Sequence, residues 1–178
     1  MEDNTKNMAS SCESSGDGFH KLFDKWVLYA HLPHDTNWTI DSYKKILTFS
    51  TVEESISLFE TIPDVMYNNC MLFMMREKVK PVWEDVNNRN GGCLSFKVSN
   101  KSVASVWKEL GYSLIGETVS KNSDFMKNIN GITISPKRNF CILKIWLKGC
   151  TYKKTNLLID IKNLNKSEAI FKKHNPEF

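Results

Sequence analysis

Residues 25–32 alternate without a break: Trp26, Leu28, Ala30 and Leu32 fall on one side of an extended chain, and Val27, Tyr29 and His31 fall on the other. Successive side chains of a strand point to opposite faces, so a period of two specifies a strand. The same texture recurs. Leu94, Phe96 and Val98 alternate after the turn at Gly91-Gly92, residues 70–75 form an apolar run typical of a buried strand, and residues 46–49 have β-forming character. Ile132-Thr133-Ile134 pairs with residues 140–147 as a hairpin around 136–139. Helices interrupt this pattern. Thr51-Val52-Glu53-Glu54 is a helix start with a Thr N-cap and early acids, followed by Ile56 and Phe59 at helical spacing. Residues 102–115 place Val103, Val106, Trp107, Leu110 and Leu114 on one helical stripe. Residues 156–164 read as a last helix, although 157–161 fits a strand equally, and 169–173 read as a last strand. Many strands joined by polar loops, with inserted helices, predict an α+β domain whose helices cover one face of an antiparallel sheet.

The chain has 178 residues, of which 41% are apolar, enough for one domain with a substantial core. Residues 1–18 are rich in Ser, Asn, Asp and Gly and are expected to be a disordered tail, leaving 19–178 as the folded domain. The tail carries Glu2, Asp3, Glu13 and Asp17 against Lys6, so the formal charge of +4 understates how basic the remainder is. Such a balance suits a phosphate-bearing ligand. The five cysteines, Cys12, Cys70, Cys93, Cys141 and Cys150, form no C-x-x-C pair, which fits free thiols in a reducing cytoplasm and no metal site. No segment has the apolar length of a membrane span, and no membrane association is expected.

Two tryptophans fall in loops, where a large ring has no automatic burial partner. Trp38 follows the breakers at 33–37, and Trp83 precedes Glu84 in the polar loop 78–90. A base held between two such rings gains about 1–3 kcal/mol per stacked face. A cationic base such as 7-methylguanine adds about 2 kcal/mol of cation–π attraction when desolvated. The Glu84 carboxylate can accept two hydrogen bonds from the N1–H and exocyclic amine of guanine, each worth about 1.5–3 kcal/mol. Adenine offers an acceptor at N1 instead, so the carboxylate selects guanine. Lys137 and Arg138, at the hairpin tip ahead of the strand ending in Trp146, are the candidate phosphate contacts.

The order of these motifs resembles the eukaryotic translation initiation factor 4E family, whose members bind the 7-methylguanosine cap of messenger RNA. The resemblance runs from about residue 19 to about 174. It is carried by 20–26, Trp38, Phe49-x-Thr51-Val52-Glu53, Pro81-Val82-Trp83-Glu84-Asp85 with Gly91-Gly92, Trp107 through Leu114-Ile115-Gly116-Glu117, Gly131, and Ile145-Trp146. It implies a curved antiparallel sheet of about eight strands, about three helices on its convex face, and a cap slot on the concave face. In that slot Trp38 and Trp83 would sandwich the base, Glu84 would take the guanine edge, Trp146 would pack near the N7-methyl group, and Lys137 and Arg138 would meet the phosphates. Trp26 and Trp107 would be structural. No cofactor, catalytic residue or metal is implied, and the protein is expected to be a cytoplasmic monomer.

The resemblance also implies a dorsal surface for an initiation factor 4G-like scaffold or a 4E-binding repressor carrying a Y-x-x-x-x-L-Φ helix. His20, Val52, Ile56, Glu109, Tyr112 and Gly116 fall there. Ile56 stands where the family has a Trp, and Lys108 and Tyr112 stand where it has Leu. On the phosphate side, Asn139, Ile142 and Cys93 replace basic residues, which implies fewer or rearranged triphosphate contacts. The chain ends at Phe178, so a closing C-terminal loop is expected to be missing. The leading expectation is a cap-binding protein that promotes translation initiation, with a cap-binding repressor or decoy as its alternative. A nucleotide-processing enzyme lacks support, since His20, His31, His34 and His174 have no recognisable nucleophile partner and no Gly-rich phosphate loop is present. A generic single-strand RNA binder would show little dependence on N7 methylation.

Overall fold

The computed structural model, which describes residues 18–175, joins the alternating segments into one sheet. The chain order is β1 (Lys21–His31), β2 (Tyr43–Thr51), α1 (Val52–Thr61), α2 (Asp64–Asn69), β3 (Met71–Arg76), β4 (Gly92–Ser99), α3 (Val103–Ile115), α4 (Ser123–Asn128), β5 (Ile129–Pro136), β6 (Phe140–Leu147) and β7 (Ile170–Lys173). The strands lie in the order β2-β1-β3-β5-β6-β4-β7, with every neighbouring pair antiparallel. Register shifts in β1–β2 and at Ile129/Gly131 of β5–β6 bend the sheet. The α+β class holds, with seven strands in place of about eight and four helices in place of about three among the described residues. The expected tail lies outside the described residues except for Gly18.

Alternation then sorts side chains between two faces. Trp26, Leu28, Leu72, Met74, Leu94, Phe96, Ile132, Ile134, Leu143 and Ile145 point to one side. There they meet Leu58 and Phe59 of α1 and Val103, Val106, Trp107 and Leu110 of α3 in the main core. Trp26 and Trp107 are both fully buried. At 150–250 Å² per ring, each contributes about 4–6 kcal/mol of burial as an upper bound. The other face carries a smaller cluster of Phe73, Met75, Val79 and Trp146, with Tyr29, Tyr43, Met71 and Trp83 packed against it. The four cysteines among the described residues are free.

Helix α1 begins where its sequence asks it to. The Glu54 N–H donates to Thr51 Oγ1 at 3.2 Å, and Glu54 Oε2 accepts from the Thr51 N–H at 3.0 Å, closing a capping box. Leu32 falls outside β1 and is exposed, because the strand ends at His31 just before Pro33. The helix expected over 156–164 is absent. Leu158, Ile161 and Leu164 have helical spacing and are buried, but they are held from a turn-rich segment. Lys166 Nζ donates to the Leu158 carbonyl at 2.8 Å and pairs with Asp160, and Asn163 takes a left-handed conformation at φ 65° that breaks the helical path. The short helices α2 and α4, each six residues long, lack enough turns to show a stripe in the sequence.

Candidate functional site: an aromatic slot on the helix-free face

Local hydrogen bonds hold each loop tryptophan. In the loop after β1, Asp35 Oδ1 accepts from the Asn37 N–H and Asn37 Oδ1 from the Thr39 N–H, both at 2.9 Å. These Asx turns set the chain before and after Trp38. His31, on the helix-free face of β1, contacts the Asn37 carbonyl through Nε2 at 2.8 Å and lies flat under Trp38, with centroids 4.1 Å apart and planes 3° from parallel. Trp38 is nevertheless 55% exposed, because only one of its faces is covered by a ring.

The 77–91 loop is organised by amides. Buried Asn88 donates through Nδ2 to the carbonyls of Lys80 at 2.8 Å and Val82 at 2.9 Å, on either side of Pro81. Its Oδ1 accepts from Asn130 Nδ2 at 2.8 Å, which moors the loop to β5. Asp85 turns inward on its own loop, accepting from the N–H groups of Asn87 and Lys80, so it shapes the loop while its neighbour Glu84 stays free. Gly91 and Gly92 are required by close approach: a Cβ on the first would collide with the Leu147 carbonyl, and one on the second with Phe171.

Trp83 has a counterpart to the His31 platform. His174, just past β7, is buried and contacts the Asn88 carbonyl through Nδ1 at 2.8 Å. Its ring lies 5.7 Å from Trp83 with planes 11° apart, and 4.8 Å from Trp146 at 54°. Each loop tryptophan is thus backed on one side by an imidazole from another element. Burial lowers the His174 pKa below its ordinary value, and the nearby Lys144 ammonium adds to the effect. The ring is therefore neutral at pH 7.

Trp38, Trp83, Glu84, Trp146 and Lys137 all line one cavity of about 560 Å³, together with Tyr43, Met71, Phe73, Thr133, Ser135 and Lys144. That volume falls in the range of small-ligand sites. Glu84 is exposed and makes no hydrogen bond or ion pair among the described residues. Burial, and secondarily the Glu84 carboxylate, pushes the Tyr43 phenol up to about 12, so it remains an O–H donor at neutral pH. Arg138 sits exposed at the hairpin tip and does not line the cavity. Sequence reasoning missed His31, His174, Tyr43, Thr133, Ser135 and Lys144. For Lys144 the signal was available: it lies two residues before Trp146 on an alternating strand. Among the described residues no group of three or more His, Cys, Asp or Glu side chains is placed to hold a metal ion, and no helix is long and apolar enough to cross a membrane.

On the opposite face, His20 joins Glu53 through Nδ1 at 2.7 Å, with Val52 and Ile56 exposed beside it on α1. Glu109 and Gly116 are exposed on and just after α3. Glu60 clamps the two helices, accepting from Lys108 Nζ at 3.0 Å and from the Tyr112 hydroxyl at 3.4 Å, while the Tyr112 ring packs edge-on against Phe59.

The fold and this slot define an α+β domain with helices on one sheet face and an open aromatic cavity on the other. The chain belongs to the eukaryotic initiation factor 4E family, whose model matches residues 21–177. It is 29% identical over 136 residues to a eukaryotic translation initiation factor 4E homolog of Acanthamoeba polyphaga mimivirus, covering 65% of this chain and 50% of that protein. It is 30% identical over 143 residues to eukaryotic translation initiation factor 4E of Candida albicans, covering 74% of this chain and 66% of the relative. Among solved structures, it resembles a schistosome eIF4E complexed with m7GpppG and 4E-BP at 27% identity and a TM-score of 0.68, covering 75% of this chain and 74% of that one. It also resembles Ascaris suum eIF4E-3 complexed with an m2,2,7G cap, at 25% identity and a TM-score of 0.65, over 75% of this chain and 76% of that one.

Proposed function

We propose that this protein is a non-enzymatic cytoplasmic factor that binds the 7-methylguanosine cap of messenger RNA and promotes translation initiation through a scaffold partner. The methylated base stacks between the uncovered faces of Trp38 and Trp83. Glu84 accepts from its N1–H and amine, Trp146 packs near the N7-methyl group, and Lys137 meets the phosphates with Arg138 beside it. The observation that carries this reading is the pairing of two imidazole-backed tryptophans around one cavity that also holds an unpaired carboxylate. Relatives solved with m7GpppG and with an m2,2,7G cap support it. The surface of His20, Val52, Ile56, Glu109, Tyr112 and Gly116 takes an amphipathic helix of the partner, as the complex of the schistosome relative with 4E-BP supports.

Titration of the protein with 7-methyl-GTP and GTP, followed by quenching of tryptophan fluorescence, tests the slot. The methyl cation gives a preference of about 2 kcal/mol, roughly 30-fold. Equal affinity for the two nucleotides refutes stacking recognition of the cationic base.

A further inference from the structure

Strand β6 presents Ile142, Lys144 and Trp146 to the helix-free face, and its neighbours pair with it in register. Trp146 lies opposite Gly131 and Cys93, Lys144 opposite Thr133 and Ser95, and Ile142 opposite Ser135 and Lys97. Each step of two residues advances about 6.6 Å along a strand. The cavity floor therefore reads outward from Trp146, through the Lys144–Thr133 rung, to Lys137 beyond Pro136. The backbone at Lys137, which pairs with Phe140, lies about 13 Å past the Lys144 rung.

Two groups on that middle rung lack partners. Lys144 is half-buried and lines the cavity, yet its ammonium makes no hydrogen bond or ion pair among the described residues. Withdrawing an ammonium from water without a counter-charge is costly. Thr133 is 1% exposed and its Oγ1 has no hydrogen-bond partner. Glu84, the carboxylate nearest to hand in the cavity lining, is on the Trp83 loop and does not pair with Lys144. Lys144 is one rung from Trp146 on the same face of β6, about 6.6 Å along the strand, and so lies nearer the base site than the hairpin tip.

We propose that Lys144 and Thr133 form an inner anion subsite on the slot floor, which takes the phosphate attached directly to the ribose of the bound nucleotide. This inference rests on the cap-binding reading above. With the base beside Trp146, one ribose carries the first phosphate onto the next rung, where an ammonium and a hydroxyl both donate to its oxygens. Lys137 is then left for the more distal phosphates. The site reads a nucleoside monophosphate as a complete ligand and gains less from each further phosphate.

The test is a ladder of 7-methylguanosine, its 5′-monophosphate and its 5′-triphosphate, titrated against wild-type protein, Lys144→Met, Lys144→Arg and Lys137→Ala. Lys144→Met keeps the apolar stem and removes the charge. It is expected to leave the nucleoside within twofold and to weaken the monophosphate roughly tenfold or more, the effect of one charge-assisted hydrogen bond. Lys144→Arg restores most of that loss. Lys137→Ala weakens the triphosphate and spares the monophosphate. Equal losses on all three ligands for Lys144→Met, or a wild-type protein that gains nothing from nucleoside to monophosphate, overturns the inference. Failure of the base reading appears separately, as wild-type protein that binds guanosine as well as 7-methylguanosine. The phosphate increment and its dependence on Lys144 are still read from the monophosphates in that event.

Discussion

Replacing His174 with Ala probes a residue that joins the chain's last described segment to the slot. The substitution removes a ring that touches Trp146 at 4.8 Å and Trp83 at 5.7 Å, and leaves the Asn88 carbonyl without its 2.8 Å contact. An orphaned buried acceptor costs about 1–3 kcal/mol, and the two aromatic contacts add about 0.5–1.5 kcal/mol each. Against this, the substitution also removes Nε2, which is buried without a partner in the native protein and was itself a cost. The net loss is about 2–3 kcal/mol, read as a lower urea midpoint at pH 7 with unchanged slope. A second consequence concerns pH. Burial holds the folded His174 pKa below its ordinary 6.5, so the unfolded chain takes up the proton first as pH falls. The stability this ring contributes is fully present above pH 6.5 and is lost as pH falls through the folded pKa. The variant His174→Phe keeps a ring between the tryptophans and removes the titration. Wild-type protein should therefore lose stability below pH 6.5 more steeply than His174→Phe. The depressed carboxylates of Glu53 and Glu54 titrate below their ordinary 4.5 and do not contribute in that window. Parallel stability–pH curves for wild type and His174→Phe between pH 7 and 5 would refute the reasoning.

Glu84→Gln replaces an acceptor-only carboxylate by an amide that can satisfy one guanine donor and opposes the other. Cap affinity should fall roughly 100-fold, about 3 kcal/mol, with selectivity over adenine nucleotides reduced. Competition titrations measure this, and retained guanine selectivity would show that another group reads the base edge. On the dorsal face, Ile56→Glu places a charge on the exposed apolar strip with Val52, and should abolish binding of a Y-x-x-x-x-L-Φ peptide in calorimetry while leaving 7-methyl-GTP affinity within twofold. Undiminished peptide binding would move the partner site elsewhere.

What was legible in the sequence follows the range of the interactions involved. The period-two runs gave the strands and their faces because a strand's pleat is local, and the Thr51–Glu54 box gave the start of α1 because its two hydrogen bonds close within four residues. Trp38, Trp83 and Glu84 stood out because loops offer no burial of their own. The rings behind those tryptophans were not legible. His31 is recruited from a strand end and His174 from a segment distant in sequence, and both depend on the sheet order that brings β1 beside β3 and β7 beside β4. The missing helix at 156–164 is the converse case. Helical spacing of Leu158, Ile161 and Leu164 was real, but the Lys166 contacts to the Leu158 carbonyl and Asp160 tie the segment into turns.

The same strands supply both cores, and this separates binding from stability. Along β3, Leu72 and Met74 belong to the helix-covered core, whereas Phe73 and Met75 belong to the small cluster under the slot. Along β6, Leu143 and Ile145 face the helices and Trp146 faces the cavity. The strands that carry the slot are therefore held in large part by packing on the helix-covered face, away from the cavity. Trp38, Glu84 and Lys137 lie outside both buried clusters, so substitutions there are expected to have little effect on folding, and on the proposed reading to act on recognition. Changes at Trp26 or Trp107 act in the opposite sense, since each is fully buried in the helix-side core. The dorsal strip is built on α1 and α3, on the far side of that core from the cavity, so effects of substitutions there and in the slot should add. A fold arranged this way can vary the surface residues of α1 and α3, such as exposed Ile56 and half-buried Lys108 and Tyr112, without disturbing the geometry around the two tryptophans.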